Sequence, residues 1–122
     1  MARILYVDDE ADIREVAAMS LELDPELEVR TCASGAEALA EAASWHPNLI
    51  LLDVMMPNMD GPTTLARLRD EPATAHVPVV FITARTQAQE VGGFIALGAR
   101  GVIAKPFDPM VLARQVRDFL GA

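Results

Sequence analysis

Cysteine is almost absent. One thiol, Cys32, excludes an internal disulfide and fits a reducing compartment. Set in Val29-Arg30-Thr31-Cys32-Ala33, it reads as a small buried hydrophobe rather than a nucleophile. Aromatics are scarce too, at 5% against 52% hydrophobic residues, so the core must be built from Leu, Val, Ile, Ala and Met. Basic residues are outnumbered, 10 to 18, and the net charge of −8 opposes direct binding to nucleic acid or anionic lipid. No apolar run approaches the length of a membrane span. Met1-Ala2-Arg3-Ile4 leads straight into a strand pattern instead of a secretion signal, so the expected location is the cytoplasm. Linkers, repeats and low-complexity segments are missing, which leaves one domain over residues 1–122.

What is present is organised around Asn48-Leu49-Ile50-Leu51-Leu52-Asp53. Consecutive large aliphatics between polar residues predict a strand buried on both faces, as parallel sheets use. It ends on a carboxylate, Asp53, followed by the loop Val54 to Gly61. Upstream, Arg3 to Val7 reads as a first strand ending in Asp8-Asp9-Glu10. Ala11 to Leu23 is a helix carrying Ile13, Val16, Ala17 and Leu21 near helical spacing, and Leu27 to Cys32 alternates as a strand. Ser34 and Glu37 have capping-box spacing and open a helix running to about Ser44. Downstream, Pro62 to Asp70 is helical with Leu65 and Leu68 inward. Val77 to Ile82 is a strand ending in Thr83, and Thr86 to Leu97 a helix stopped by Gly98. Gly101 to Ala104 is a short strand ending in Lys105-Pro106, and Asp108-Pro109 caps and launches a last helix. Strands alternating with helices in this way predict a doubly wound α/β sheet, mostly parallel and covered on both faces.

In a parallel sheet the carboxyl ends of the strands share one rim, where open α/β folds bind ligands. Asp8, Asp9, Asp53, Thr83 and Lys105 all follow strand ends and should meet there. Hard carboxylate oxygens suit Mg²⁺, which keeps several waters and bridges readily to phosphate. Lys105 offers a point charge and Thr83 a hydroxyl donor, while Asp53 is placed as a carboxylate nucleophile able to carry an acyl phosphate. Each residue has a plainer role: Asp8-Asp9 as a helix cap, Thr83 in a hydroxyl-bonded turn, Lys105-Pro106 as an ordinary turn. It is their joint delivery to one rim that favours phosphate chemistry.

These residues resemble the receiver domains of two-component response regulators, single-domain chemotaxis regulators included. The matching motifs are Val7-Asp8-Asp9-Glu10, Leu51 through Gly61, Phe81-Ile82-Thr83-Ala84, and Gly98-Ala99 through Lys105-Pro106-Phe107, and the resemblance extends over essentially the whole chain. The resemblance implies a flavodoxin-like (βα)5 three-layer sandwich with strand order 2-1-3-4-5. It implies that Asp53 accepts a phosphoryl group from a histidine kinase or a histidine phosphotransfer protein. It also implies that Asp9 and Asp53 ligate Mg²⁺ directly, with Asp8 acting mostly through water and Met55 lending its backbone carbonyl. Lys105 would pair with the phosphoryl group, Thr83 would swing toward it, and the Lys105-Pro106 bond would be cis. Catalysis would be limited to Mg²⁺-dependent phosphorylation and dephosphorylation of Asp53 itself.

One position departs from the pattern. The family's usual aromatic three residues before the Lys is Val102 here, with no ring to turn inward. The expectation is that the fourth helix and fifth strand still move, through Thr83 and the backbone, and so alter binding of a downstream protein or effector domain. Gly92-Gly93 in the fourth helix points either to a locally weak helix or to close packing against the bare backbone. Dimerisation on phosphorylation stays open, as does the choice between a stand-alone regulator and a receiver cut from a longer chain. Two competing classes are weaker. An aspartyl-phosphate phosphatase would want a second acid where Met55 stands, and a mononucleotide-binding domain would want a glycine-rich loop where Asp8-Asp9 stand.

Overall fold

A computed structural model describes residues 1–121. Five parallel strands lie in the order β2-β1-β3-β4-β5: β1 (Ala2–Val7), β2 (Leu27–Cys32), β3 (Leu49–Asp53), β4 (Val79–Thr83) and β5 (Gly101–Ala104). The helices between and after them are α1 (Ala11–Glu22), α2 (Gly35–Trp45), α3 (Gly61–Asp70), α4 (Ala88–Ala96) and α5 (Leu112–Gly121). This is the flavodoxin-like topology expected from the motifs. Its strand order reverses beside β1 and β3, whose carboxyl ends carry the acids.

Every residue of β3 and of β4 is buried, as strands covered on both faces must be. Alternate side chains feed two core layers. One packs Leu5, Val7, Leu52 and Phe81 with Ala38, Ala42, Leu65 and Leu68 of α2 and α3. The other packs Ile4, Tyr6, Leu51 and Ile82 with Ala17, Leu21, Leu112 and Val116 of α1 and α5. Cys32 is buried in the first layer, and burial with the nearby charges of Glu37 and Glu41 pushes its thiol up to about 11.

Helix starts follow local chemistry. Ser34 Oγ accepts from the Glu37 amide at 3.1 Å, and Glu37 Oε1 accepts from the Ala33 amide at 3.1 Å. Asp60 Oδ1 accepts from the Thr63 amide at 2.8 Å ahead of α3. Three boundaries differ from expectation by two residues or more. β4 begins at Val79, because the Val77 amide turns back to the Thr74 carbonyl and Pro78 has no N–H to offer. α4 begins at Ala88, two residues later than predicted. α5 begins at Leu112 rather than after Asp108, because the Asp108 carbonyl accepts from both Val111 and Leu112 and tightens the intervening turn. Of the apolar residues at helical spacing on α1, Val16 is 41% exposed, and Ser20 takes a buried place with its hydroxyl bonded to the Val16 carbonyl. Among the described residues no helix is long and apolar enough to cross a membrane.

Candidate functional site

The expected residues converge. Asp53 ends β3 in register with Ile82, one residue before Thr83, and Val7, just before Asp8, is in register with Leu52. Sheet-like bonding continues past the strand ends and fixes the loops: the Asp8 amide donates to Cys32, Val54 to Ile82 and Lys105 to Thr83. The Lys105-Pro106 bond is cis, as the motif implied. Lys105 Nζ lies 3.0 Å from Asp8 Oδ2, 3.4 Å from Asp53 Oδ2 and 3.8 Å from Glu10 Oε1. Residues 97 and 52 positions apart in sequence are thus joined through one ammonium group.

The plain roles are met, and each leaves a further polar atom of the same side chain facing the crevice or able to donate. Asp8 Oδ1 accepts from the Glu10 amide at 2.9 Å, which is the capping role, while its other oxygen faces Lys105. Thr83 Oγ1 accepts from the Arg85 amide at 3.0 Å, which is the turn role, and leaves its own O–H to donate elsewhere. The local bonds aim these side chains into the crevice. Asp8, Asp53 and Thr83 are buried there, whereas Asp9 and Glu10 stand exposed at the lip. Met55, expected for its carbonyl, sits two residues beyond Asp53 with its side chain 69% exposed.

Electrostatics distinguish Asp53. Burial, then the charge of Asp8, raises its carboxyl above the ordinary carboxylate range, and Lys105 offsets only part of this. Burial works against the charge on Lys105, but its bond to Asp8 and the charges of Asp53 and Asp8 outweigh that and raise its pKa. Asp8, Asp9 and Glu10 can each place one carboxylate oxygen within 4.8 Å of the others. Asp53 adds a further acid beside a single ammonium. A pocket with such an excess of hard anionic oxygens fits a small divalent cation such as Mg²⁺.

Two contributors escaped sequence reasoning. Glu10 follows the acid pair directly, and its place in the motif was the available signal. Tyr6 of β1 reads in the sequence as core or edge of core; it is fully buried, yet its hydroxyl donates to Asp8 Oδ2 at 3.1 Å. Burial, then Asp8, pushes that phenol far above its ordinary value, so it stays a donor.

Residues 4–117 match the family model described as response regulator receiver domain. Response regulator PleD of Caulobacter vibrioides is 46% identical over 119 residues, which cover 96% of this chain and 26% of PleD. The DNA-binding dual master transcriptional regulator RpaA of Synechocystis is 37% identical over 121 residues, 98% of this chain and 49% of RpaA. The chain therefore spans between a quarter and a half of the length of these relatives. Among solved structures, the chemotaxis response regulator CheY4 of Vibrio cholerae superposes with a TM-score of 0.89 at 34% identity, covering 98% of each chain. A response regulator from Desulfuromonas acetoxidans gives a TM-score of 0.86 at 27% identity, covering 99% and 98% of the two chains.

Proposed function

This chain belongs to the family of response regulator receiver domains of two-component signalling, and on that premise we propose that Asp53 is its phosphoacceptor. The observation that carries this reading is the single ammonium of Lys105 held 3.0 Å from Asp8 and 3.4 Å from Asp53 in a buried acidic crevice. One oxygen of Asp53 attacks phosphorus of a phosphohistidine on a histidine kinase or histidine phosphotransfer protein. A P–O bond forms, the P–N bond breaks, and the donor imidazole leaves with the electron pair and takes up a proton. Lys105 pairs with a phosphoryl oxygen, and the free O–H of Thr83 donates to another. Asp9 and Asp53, with Asp8 and the Met55 carbonyl, would hold Mg²⁺, which supplies charge neutralisation for the incoming phosphoryl group. Catalysis is limited to gain and loss of the phosphoryl group on Asp53, at a cytoplasmic site.

The output is a change at α4 and β5 that alters affinity for a downstream protein or effector domain. Val102 is half-buried in the core layer that also receives Phe94 of α4, so it fills space there and offers no ring to turn. A full two-state switch needs about 5.5 kcal/mol of differential stabilisation between the conformations. The direct test incubates the protein with acetyl phosphate and Mg²⁺ beside Asp53→Asn, reading mass and oligomeric state together. One phosphoryl group on wild type and none on the variant is expected. Equal labelling of both, or of neither, ends the assignment.

A further inference from the structure

Tyr6 is the only tyrosine of the chain and is wholly buried in β1. A buried hydroxyl needs a partner, and this one donates to Asp8 Oδ2 at 3.1 Å. Strand geometry makes the contact available, since residues two apart project from the same face. Phe107, two residues beyond Lys105, packs edge-on against the Tyr6 ring with centroids 6.3 Å apart and planes at 71°. The loop that carries Lys105 therefore also packs against the ring.

Asp8 Oδ2 has a second donor, Lys105 Nζ at 3.0 Å, while Oδ1 is occupied by the Glu10 amide. The carboxylate is fully buried, so losing a donor without replacement would be costly. Lys105 is the donor that must be shared. A phosphoryl group on Asp53 draws the ammonium across, and Asp8 Oδ2 then keeps only the phenol. We propose that Tyr6 is a positioning residue of the acidic pocket, whose hydroxyl holds Asp8 in place for the cation while Lys105 transfers toward the occupied Asp53. This rests on the reading of Asp53 as phosphoacceptor and adds to it a role for a residue outside the acidic and strand-end motifs.

A tyrosine that merely fills core space would behave differently when its hydroxyl alone is removed. In Tyr6→Phe the ring remains, and a filling role predicts changed thermal stability with unchanged cation binding. The positioning role predicts Mg²⁺ binding about tenfold weaker by titration calorimetry, the usual scale for loss of an outer hydrogen bond to a metal-holding group. The Mg²⁺ concentration that half-saturates acetyl phosphate labelling should rise by the same factor. An unchanged calorimetric constant with an unchanged labelling midpoint overturns the proposal. If Tyr6→Phe does not fold, wild type decides through its single phenol. Its ultraviolet difference band should shift on adding Mg²⁺ and again on adding beryllofluoride, as the shared oxygen changes donors, and a band indifferent to both overturns the proposal. Wild type that labels normally while Tyr6→Phe matches it defeats only the Tyr6 role. Wild type that never labels defeats the phosphoacceptor reading and this inference with it.

Discussion

Phe94 of α4 lies on Phe81 of β4, with ring centroids 5.1 Å apart and planes tilted by 56°. Gly61 lies between Phe81 and the loop after Asp53: a Cβ built on it would lie 3.1 Å from the Phe81 ring and 2.6 Å from the Asp53 carbonyl oxygen. Phe81 thus lies between Phe94 and the backbone around Asp53 and Gly61, a set of neighbours that does not include position 102. Phe94→Leu is therefore expected to leave acetyl phosphate labelling of Asp53 intact while shrinking the amide shifts that beryllofluoride induces in α4 and β5. It should also cost about 1 kcal/mol of stability, the scale of an aromatic pair. Undiminished shifts at Gly92 and Gly93 in the variant would show that the signal travels by another route.

Gly61 is required by close approach of backbone to backbone. Besides the Asp53 carbonyl, a Cβ there would meet Val54 Cα at 2.9 Å, and neither is the end of a flexible side chain. Gly61→Ala must push the loop that follows Asp53 away from α3. The expected results are destabilisation of about 1–3 kcal/mol, as for other overpacked sites, and slower labelling of Asp53. Chemical denaturation and a labelling time course check the two separately. A variant as stable and as reactive as wild type would mean the loop yields more readily than its packing implies.

Much of this was legible in the chain because the fold turns local patterns into shared geometry. Apolar runs ending in Asp8, Asp53, Thr83 and Lys105 give strand ends, and parallel topology places strand ends together. Ser34 announced its helix through capping chemistry that acts over three residues, whereas the equivalent cap at Asp60 emerged only from the structure. What stayed hidden depends on distances no local pattern encodes. Tyr6 looks like any strand residue until the pleat and the Lys105 loop bring its hydroxyl to Asp8. The late start of α5 reflects one carbonyl accepting two amides, which the favourable Asp108-Pro109 pair does not reveal. The exposure of Val16 follows from how α1 is rotated on the sheet, which its apolar spacing left open between neighbouring faces.

Gly92 and Gly93 decide between a weak helix and a closely packed one. A Cβ at either position would meet nothing within 4 Å, and α4 has no fully buried residue. Among the described residues, no neighbouring element requires the bare backbone. Gly92→Ala and Gly93→Ala should each add about 0.4–1 kcal/mol of stability by restricting the unfolded chain. Hydrogen exchange in α4 should slow, and if α4 must rearrange in signalling, the response to beryllofluoride should weaken in parallel. Exchange as fast as in wild type would mean that α4 opens for reasons other than its glycines.

The raised carboxyl of Asp53 has a consequence for stability that can be signed. Its ionisation is disfavoured in the folded state by burial and by Asp8, so the folded pKa exceeds the unfolded one, near 3.8. The unfolded chain then releases its proton first. The contribution of Asp53 to stability is fully present below that ordinary value and is lost as pH rises through the higher folded value. At neutral pH without divalent cations, wild type carries this penalty, and Asp53→Asn, isosteric and uncharged, does not. Asp53→Asn should therefore melt at a higher temperature than wild type at pH 7, with the gap closing as pH falls toward 3.8. Saturating Mg²⁺ should act the other way, since a cation that binds the folded acids stabilises by mass action and wild type has one more acid to bind it. Melting curves at two pH values, each with and without Mg²⁺, test the whole argument. A lower melting temperature for the variant at neutral pH in chelator would show that the Lys105 bond to Asp53 outweighs the cost of burying its charge.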